Sequence, residues 1–495
     1  MSRSVVVVGA GVGGLAVAAR LAAAGHRVAV YERSGAVGGK LGRHARDTPV
    51  GTFRFDTGPS LLTLPRVFED LFAATGDPLL GSLDLVPLDP IVRHVFPDGT
   101  RLDSCADPEE FANRISLACG LDAARQWRAL WRRAGRVWDA AWRHVLHDGL
   151  DSPLALARLA WRLPDLAAIA PGRTLRGLGR SHLRDPRLRV LLDRYATYAG
   201  ADPRRAPAAL LAIPYAELAF GGWYVRGGLG MLADALLSRC LDLGVTVETG
   251  AEVVGIDAAG GRVHGIRLAG GRRVAADVVV ANADALTLYR DLLPTPGRLA
   301  GLADRSLGGF VLLLGVRGAT PRLAHHTVFF PPDYDAEFDA VFGDPGRGVP
   351  ARPADDPAVF VTAADDPSTR PTGHEAWFVL VNAAPHGLGA GRVDWRHPGL
   401  APAYADHVLD VLAARGVDVR DRLVFREIRT PADLVGAPGG SIYGTASHGL
   451  GGLLRPANRG PVAGLFLVGG STHPGGGLPM VALSARIVAN QIGPA

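Results

Sequence analysis

Lysine is all but missing from this chain: Lys40 is the only one in 495 residues, so the formal charge of +5 rests on arginine. No finger, helix-turn-helix or aromatic-interleaved basic motif accompanies that bias, and a nucleic-acid partner is not expected. Cysteine is scarce too. Cys105, Cys119 and Cys240 are odd in number and far apart, which fits neither a disulfide framework nor a metal site and points to a reducing cytoplasm. No run of about 18 apolar residues is present. The short run Val5 to Val8 breaks at Gly9-Ala10-Gly11, too early for a secretory h-region. The chain is therefore not expected to enter or span a bilayer, while lying on one stays open. A Ser-His-Asp order, an H-E-x-x-H helix and clustered Cys/His ligands are all absent, so hydrolytic and metal mechanisms have nothing to stand on.

What is there suits a globular enzyme. Hydrophobic residues make up 48% of the chain and charged ones 20%. The length exceeds what one core usually organises, and two domains are the expectation. The 64 glycines and 36 prolines describe a loop-rich ordered protein rather than a disordered one.

The opening segment carries the strongest motif. Residues 5 to 40 read VVVVGAGVGGLAVAARLAAAGHRVAVYERSGAVGGK. Val5 to Val8 read as a buried parallel strand, and Gly9-x-Gly11-x-x-Gly14 turns the chain into an alanine-rich helix ending near Gly25. The first glycine permits the turn, the second lets a pyrophosphate approach the backbone, and the third lets helix pack on strand. Val28, Val30 and Tyr31 give a second strand, with Glu32 at its end, where a carboxylate binds ribose hydroxyls and repels the extra phosphate of NADP. Strand, turn, helix, strand and acid in this order make a dinucleotide-binding unit far more specific than a lone glycine motif.

Beyond Glu32, five residues precede Gly38-Gly39-Lys40, and this spacing resembles the E-x-x-x-x-x-G-G-[RK] pattern of flavoproteins. Phe55 to Ser60, FDTGPS, resembles the segment that passes near the flavin in phytoene desaturases and amine oxidases. Residues 221 to 290 include GGWYVRGGLG, VTVETGAEVVGI and DVVVANAD, and resemble the second nucleotide-domain portion of bacterial-type carotenoid desaturases. Gly464 to Asn490, GLFLVGGSTHPGGGLPMVALSARIVAN, resembles that family's closing strand, THPG loop and last helix. On these residues the chain is identified as a member of the phytoene desaturase-like family of FAD-dependent oxidoreductases, within the amine oxidase-like flavoproteins.

The resemblance implies an α/β fold, with a discontinuous Rossmann-like FAD-binding domain and an α+β substrate domain. The cofactor domain is expected over 1–105, 221–290 and 425–495. The substrate domain is expected over 106–220, mainly helical, and 291–424, with strands at Phe310 to Val316, Val359 to Thr362 and Trp377 to Val381 and a long surface loop over 343–375. FAD is the implied cofactor. Its contacts are assigned to Gly9, Gly11, Gly14, Glu32, Gly39, Lys40, Gly58, Pro59, Ser60, Val253 against the adenine, Gly469, Gly470 and Met480. The implied activity is desaturation of an acyclic carotenoid: hydride passes from an allylic carbon to flavin N5, and a proton is lost. GGSTHPGGGLP leans toward a later substrate such as hydroxy- or methoxyneurosporene rather than phytoene.

A polyene delocalises the cation left by hydride loss, so the following proton is acidic and a strong base is dispensable. His473 is the first candidate for a polar group near the ring, against a role in shaping its loop. Asp56 and Glu217 follow, against capping a turn and pairing with an arginine. Three other readings stay open: a flavin-dependent isomerase or saturase, a non-catalytic isoprenoid carrier, and an amine oxidase. The intact glycines and Glu32 weigh against the carrier, and no aromatic cage is identifiable for the amine oxidase. The expected partners are a hydrophobic polyene, an electron acceptor that is oxygen or quinone, and a membrane surface. A homo-oligomer stays open.

Trp127, Trp131, Trp138 and Trp142 fall within roughly 60° of one helix circumference, opposite a run of arginines, with Asp122 as the expected N-cap. Residues 121–190 carry 14 arginines against 6 aspartates and no other charged side chain. Such a basic amphipathic stretch can lie at a bilayer interface, or the tryptophans can simply pack into the substrate domain. The expected location is the cytoplasm, peripherally associated with the inner face of the membrane.

Overall fold

Five short strands align in parallel in the order Thr246–Glu248, Arg27–Tyr31, Ser4–Val8, Val278–Ala281 and Leu465–Leu467. The computed structural model describes residues 1–76, 78, 83–147, 163–389, 391–434, 436–449, 452 and 454–495. Parallel strands covered on both faces need unbroken apolar runs, and Val5–Val8 and Val278–Ala281 are buried residue for residue. The first helix, Val12–Ala23, packs between the closing helix Leu478–Ile492 and the helix Gly230–Asp242. Ala16, Ala18 and Ala19 are fully buried on it, which is why small residues recur there. Strand order reverses between Ser4–Val8 and Val278–Ala281, and open α/β sheets bind ligands at the carboxyl ends of strands flanking such a switch. A three-stranded antiparallel unit (Val253–Ala259, Arg262–Leu268, Arg273–Ala275) flanks this sheet.

The second large sheet has seven strands, in the order Leu423–Arg429, Gly308–Arg317, His374–Ala383, Val359–Ala363, His326–Phe329, Arg93–Val95 and Arg101–Asp103. The strands expected over 310–316, 359–362 and 377–381 are all present, each slightly longer than its apolar run. Two boundaries move. Strands 93–95 and 101–103 belong to this sheet rather than to the first cofactor segment, and 423–429 joins its other edge. Runs of three residues are too short for alternation to be read from sequence. The expected loop over 343–375 is also interrupted, because Val359–Ala363 is a buried inner strand.

Helices cover one side of this sheet. The tryptophan helix, Leu121–His144, packs on Pro108–Cys119 and Ala212–Phe220, and their core merges with Val328, Phe330, Tyr334 and Phe338 from the sheet side. Its N-cap is Gly120 rather than Asp122, which lies in the first turn and pairs with Arg125. The tryptophans face inward: Trp127 is 3% exposed and Trp138 is 7% exposed. Trp131 stacks on Tyr215 at 4.6 Å and Trp142 on Trp138 at 5.2 Å. This aromatic face is thus used by the protein itself. Residues 148–162, part of the stretch read as a possible lipid contact, lie outside the described residues. No helix among the described residues is long and apolar enough to cross a membrane.

Candidate active site

The glycine turn after Ser4–Val8 meets the end of Val278–Ala281 at the switch point, and space there is exhausted. A Cβ at Gly14 would stand 2.0 Å from the Gly9 carbonyl oxygen, and one at Gly9 2.8 Å from the Asn282 carbonyl. At Gly11, Gly13 and Gly469 a Cβ would come within 2.8–2.9 Å of the Asn282 side-chain amide. That amide, oriented by its hydrogen bonds, accepts from the backbone N–H of Gly11 (3.2 Å) and Gly14 (3.1 Å). Three chain segments therefore converge on one side chain. Gly470 is not demanded by space, since a Cβ there would make ordinary contacts.

Glu32 stands beside this turn. One carboxylate oxygen accepts from Ala10 N (2.8 Å), and the other from Ser34 N (2.9 Å) and Ser34 Oγ (2.8 Å). Ala251 N donates to the Glu32 carbonyl at 2.8 Å, and Val253 shares a buried cluster with Tyr31. Gly39, at φ +59°, lies against Gly11, and a Cβ on Gly58 would sit 1.9 Å from the Lys40 carbonyl. The GGK and FDTGPS segments are thereby pressed together. Pro59 is exposed, Ser60 Oγ is 3.0 Å from Thr362 Oγ1 on the seven-stranded sheet, and Met480 packs in the first turn of the closing helix.

Next to Asn282 lies a cluster of cations that the sequence reading did not find. Arg305 pairs with Asp284, Nη2 to Oδ2 at 2.9 Å, both buried. Arg455 donates to Thr445 and Ser447 side chains, and Lys40 Nζ donates to the Ile442 carbonyl. Burial pushes the Lys40 ammonium down to about 8, with Asp284 opposing the shift, and pulls Arg455 down to about 10. Three cations face one carboxylate, and the Arg305 Nε has no partner among the described residues. The surplus of two positive charges matches the charge of a diphosphate. Glycine cradle, acid and surplus together fit FAD. Among the described residues no group of three or more His, Cys, Asp or Glu could hold a metal ion.

Between the hairpin Arg43–Asp56 and the seven-stranded sheet opens a cavity of about 300 Å³, lined by Phe55, Asp56, Ser60, Tyr224, Thr362, Ala376 and Phe378 among others. Two carboxylates shape its rim. Asp56 accepts from Leu229 N (2.7 Å) and Gly230 N (2.9 Å), so both its oxygens hold the start of the helix Gly230–Asp242; burial raises its pKa. Asp366 accepts from Tyr224 OH (2.9 Å) and Gly227 N (2.7 Å).

His473 is 1% exposed and its Nε2 donates to the Val145 carbonyl, at the end of the tryptophan helix, at 2.8 Å. Its own carbonyl accepts from Asn458 and Ser484. Glu217 lies elsewhere, in the helical layer, where Tyr195 OH donates to its Oε1 at 2.8 Å and burial raises its pKa. The three candidate polar residues are therefore not brought together. Glu217 instead belongs to a buried group with Tyr195, Tyr198 and Arg194. Tyr195 stacks on Tyr198 at 5.4 Å, and the Arg194 guanidinium lies over Tyr198 (5.5 Å) and Phe360 (5.3 Å). The run RYATY over 194–198 was its only sequence signal, concealed by the general abundance of arginine.

Comparison with known proteins extends the geometry. Residues 12–309 match the family described as flavin-containing amine oxidoreductase. The hydroxyneurosporene desaturase of Cereibacter sphaeroides is 36% identical, the alignment covering 99% of this chain and 97% of that protein. The 4,4'-diapolycopene oxygenase of a Methylomonas species is 32% identical over 99% of this chain and 98% of that protein. Among solved structures, an oxidoreductase from Methanosarcina mazei superposes with a TM-score of 0.66 at 19% identity, covering 98% of this chain and 99% of its own. A putrescine oxidase bound to putrescine gives 0.61 at 16%, with 99% of both chains covered. These last two establish the shared fold.

Proposed function

The chain belongs to the flavin-containing amine oxidoreductase family, as an FAD-dependent enzyme of its carotenoid desaturase-like branch, and from that premise we propose that it desaturates an acyclic carotenoid. The observation that carries the proposal is the likeness to a hydroxyneurosporene desaturase over 99% of this chain and 97% of that protein. Bound FAD supplies the acceptor for a hydride leaving an allylic carbon. The chain's own residues do the rest. Gly9, Gly11, Gly14 and Asn282 give the diphosphate close backbone approach, Lys40, Arg305 and Arg455 balance its charge, and Glu32 takes the ribose hydroxyls. Gly39, Gly58, Pro59, Ser60, Gly469, Gly470 and Met480 are assigned the remaining contacts of FAD, and Val253 the contact with its adenine.

The cavity wall supplies orientation and dryness. Phe55, Ala376 and Phe378 offer an apolar surface to a polyene, while Asp56 is committed to two backbone N–H groups and His473 to a carbonyl. The proton that follows hydride loss is made acidic by the conjugated cation it leaves, so the reading asks no strong base of either side chain. Oxygen or quinone would serve as the electron acceptor of the flavin-loaded enzyme, and the substrate would be drawn from a membrane surface.

A second reading has its own support: the 4,4'-diapolycopene oxygenase relative spans the chain equally well. The two differ in product. Purified FAD-loaded enzyme given neurosporene or its hydroxylated derivative in lipid vesicles should return a product lighter by two hydrogens, absorbing at longer wavelength. A product carrying added oxygen would decide for the oxygenase, and a product of unchanged mass for an isomerase.

A further inference from the structure

Behind the cavity wall stands a buried carboxylate whose partners are all neutral. Asp366, between the strand Val359–Ala363 and the short helix Pro367–Thr369, is 1% exposed. Its Oδ1 caps that helix, accepting from Ser368 N (2.9 Å) and Ser368 Oγ (2.7 Å). A cap needs no more than that oxygen. Oδ2 reaches elsewhere, to Gly227 N at 2.7 Å and Tyr224 OH at 2.9 Å, so every donor it meets among the described residues is uncharged. Burial pulls its pKa up, but the bonds from Gly227, Ser368 and Tyr224 prevail and hold it at about 2, so the negative charge is present at any working pH. A buried charge is ordinarily paired with an opposite one. Tyr224 connects this charge to the cavity, which it lines. The tyrosine is fixed at its hydroxyl by Asp366 and at its ring by His325, 4.6 Å away. Burial pulls His325 down to about 4, so that neighbour is uncharged at neutral pH. The two arginines that line the cavity, Arg43 and Arg54, are exposed to water and bonded to Asp234 and to the Ser368 carbonyl.

Desaturation breaks one C–H bond with its electron pair leaving as hydride to the flavin. A neighbouring C–H bond then breaks, its pair forming the new double bond and its proton passing to water. Between the two losses the carbon chain is a cation. We propose that the Tyr224 ring faces this cation and stabilises it, and that Asp366 is the positioning residue that orients the ring and enriches it through the hydroxyl. An aromatic face attracts a desolvated cation, and a hydroxyl donating to a carboxylate is polarised toward higher electron density on its own oxygen and ring. An attraction that arises only as charge develops lowers the barrier without tightening the binding of the neutral substrate. Asp56, the other carboxylate at the rim, has both oxygens on the start of the helix Gly230–Asp242, and burial raises its pKa, which makes it the weaker source of negative charge. The inference rests on the reading of the chain as a desaturase and adds the group that answers the charge this reaction creates.

Binding tests this without turnover. Flavin-loaded enzyme is titrated by calorimetry, in one detergent, with farnesyltrimethylammonium and with the uncharged hydrocarbon in which carbon replaces its nitrogen. Wild-type enzyme should hold the ammonium ion tighter by roughly five- to thirtyfold. Asp366→Asn should lose most of that preference and Tyr224→Leu all of it, while Tyr224→Phe, which keeps the ring, should retain part. Turnover of neurosporene is then followed with mono-, di- and trifluorotyrosine at position 224. As fluorine draws electrons from the ring, kcat should fall stepwise with KM, flavin content and melting temperature unchanged, a series that a merely structural ring does not produce. Equal binding of the two probes by wild-type enzyme, or a preference that survives in Tyr224→Leu, would overturn the proposal, and so would a kcat indifferent to fluorination. Enzyme that holds the ammonium ion through Tyr224 and Asp366 yet returns neurosporene unchanged or oxygenated would refute desaturation and leave the cation site standing.

Discussion

At the glycine turn contact is made by main chain, whereas at the polar group beyond the cavity it is made by side chains. Gly9, Gly11, Gly13, Gly14 and Gly469 crowd around Asn282 because nothing larger than hydrogen fits. Arg194 and Tyr195 at the end of one helix, Tyr198 in the short helix after it and Glu217 in a third meet through rings and long polar arms. The first arrangement fixes a ligand by shape that the backbone cannot change. The second is held by side-chain identity, through hydrogen bonds and ring contacts within the group itself.

The comparison breaks most visibly at Gly14. Gly14→Val places a side chain where even a Cβ is 2.0 Å from a carbonyl oxygen, with no flexible neighbour to yield. Backbone displacement there should cost more than about 3 kcal/mol. The expected outcome is purified protein without flavin absorbance near 450 nm, even after incubation with excess FAD. A yellow, stoichiometrically loaded Gly14→Val protein would mean that the turn does not hold the cofactor.

A smaller effect separates charge from shape at the same end. The Lys40 ammonium lies at about 8, below its ordinary value, because of burial. An incoming diphosphate prefers the protonated form, so FAD affinity should be constant below about pH 8 and weaken by up to about tenfold per pH unit above it. The stability of the apoprotein should move the other way. With the folded-state value depressed, the unfolded chain binds more protons between about 8 and the ordinary 10.5, so Lys40's contribution to stability rises with pH across that window. Lys40→Met should bind FAD more weakly at neutral pH, with this alkaline dependence flattened. Titration by flavin fluorescence checks both; an alkaline loss that survives in Lys40→Met would assign it to another group.

The contrast also explains what could be read in advance. Glycine spacing, Glu32 and the GGK doublet were legible because a close backbone approach tolerates one residue type, and its period survives in the chain. Asn282 was within reach: it is the first residue after a buried strand in DVVVANAD, and the reversal of strand order puts that position opposite the first glycine turn. Arg305 and Arg455 were not, since arginine is everywhere in this sequence and only folding selects the two that lie beside Asp284. The tryptophan periodicity was real but ambiguous, because a helix face reads the same whether it meets lipid or Tyr215. Strands 93–95 and 101–103 escaped because three residues carry no period.

His473 tests whether the two ends are coupled. It sits on the cofactor side, in the loop before the closing helix, yet its ring donates to the Val145 carbonyl of the helical layer. That bond uses the one imidazole hydrogen a neutral ring has to give and fixes the tautomer, with the lone pair on Nδ1. His473 thus ties the loop to the layer carrying Glu217. His473→Gln keeps an N–H of similar reach and should lower kcat by less than about tenfold, with the pH profile unchanged in shape, because one neutral hydrogen bond contributes about 1 kcal/mol. His473→Ala, with the carbonyl left bare, should lose more and should raise KM as well. If the glutamine variant instead lost several orders of magnitude in kcat together with one limb of the pH profile, the imidazole would be a proton acceptor, and the cofactor end would carry acid–base chemistry besides shape and charge.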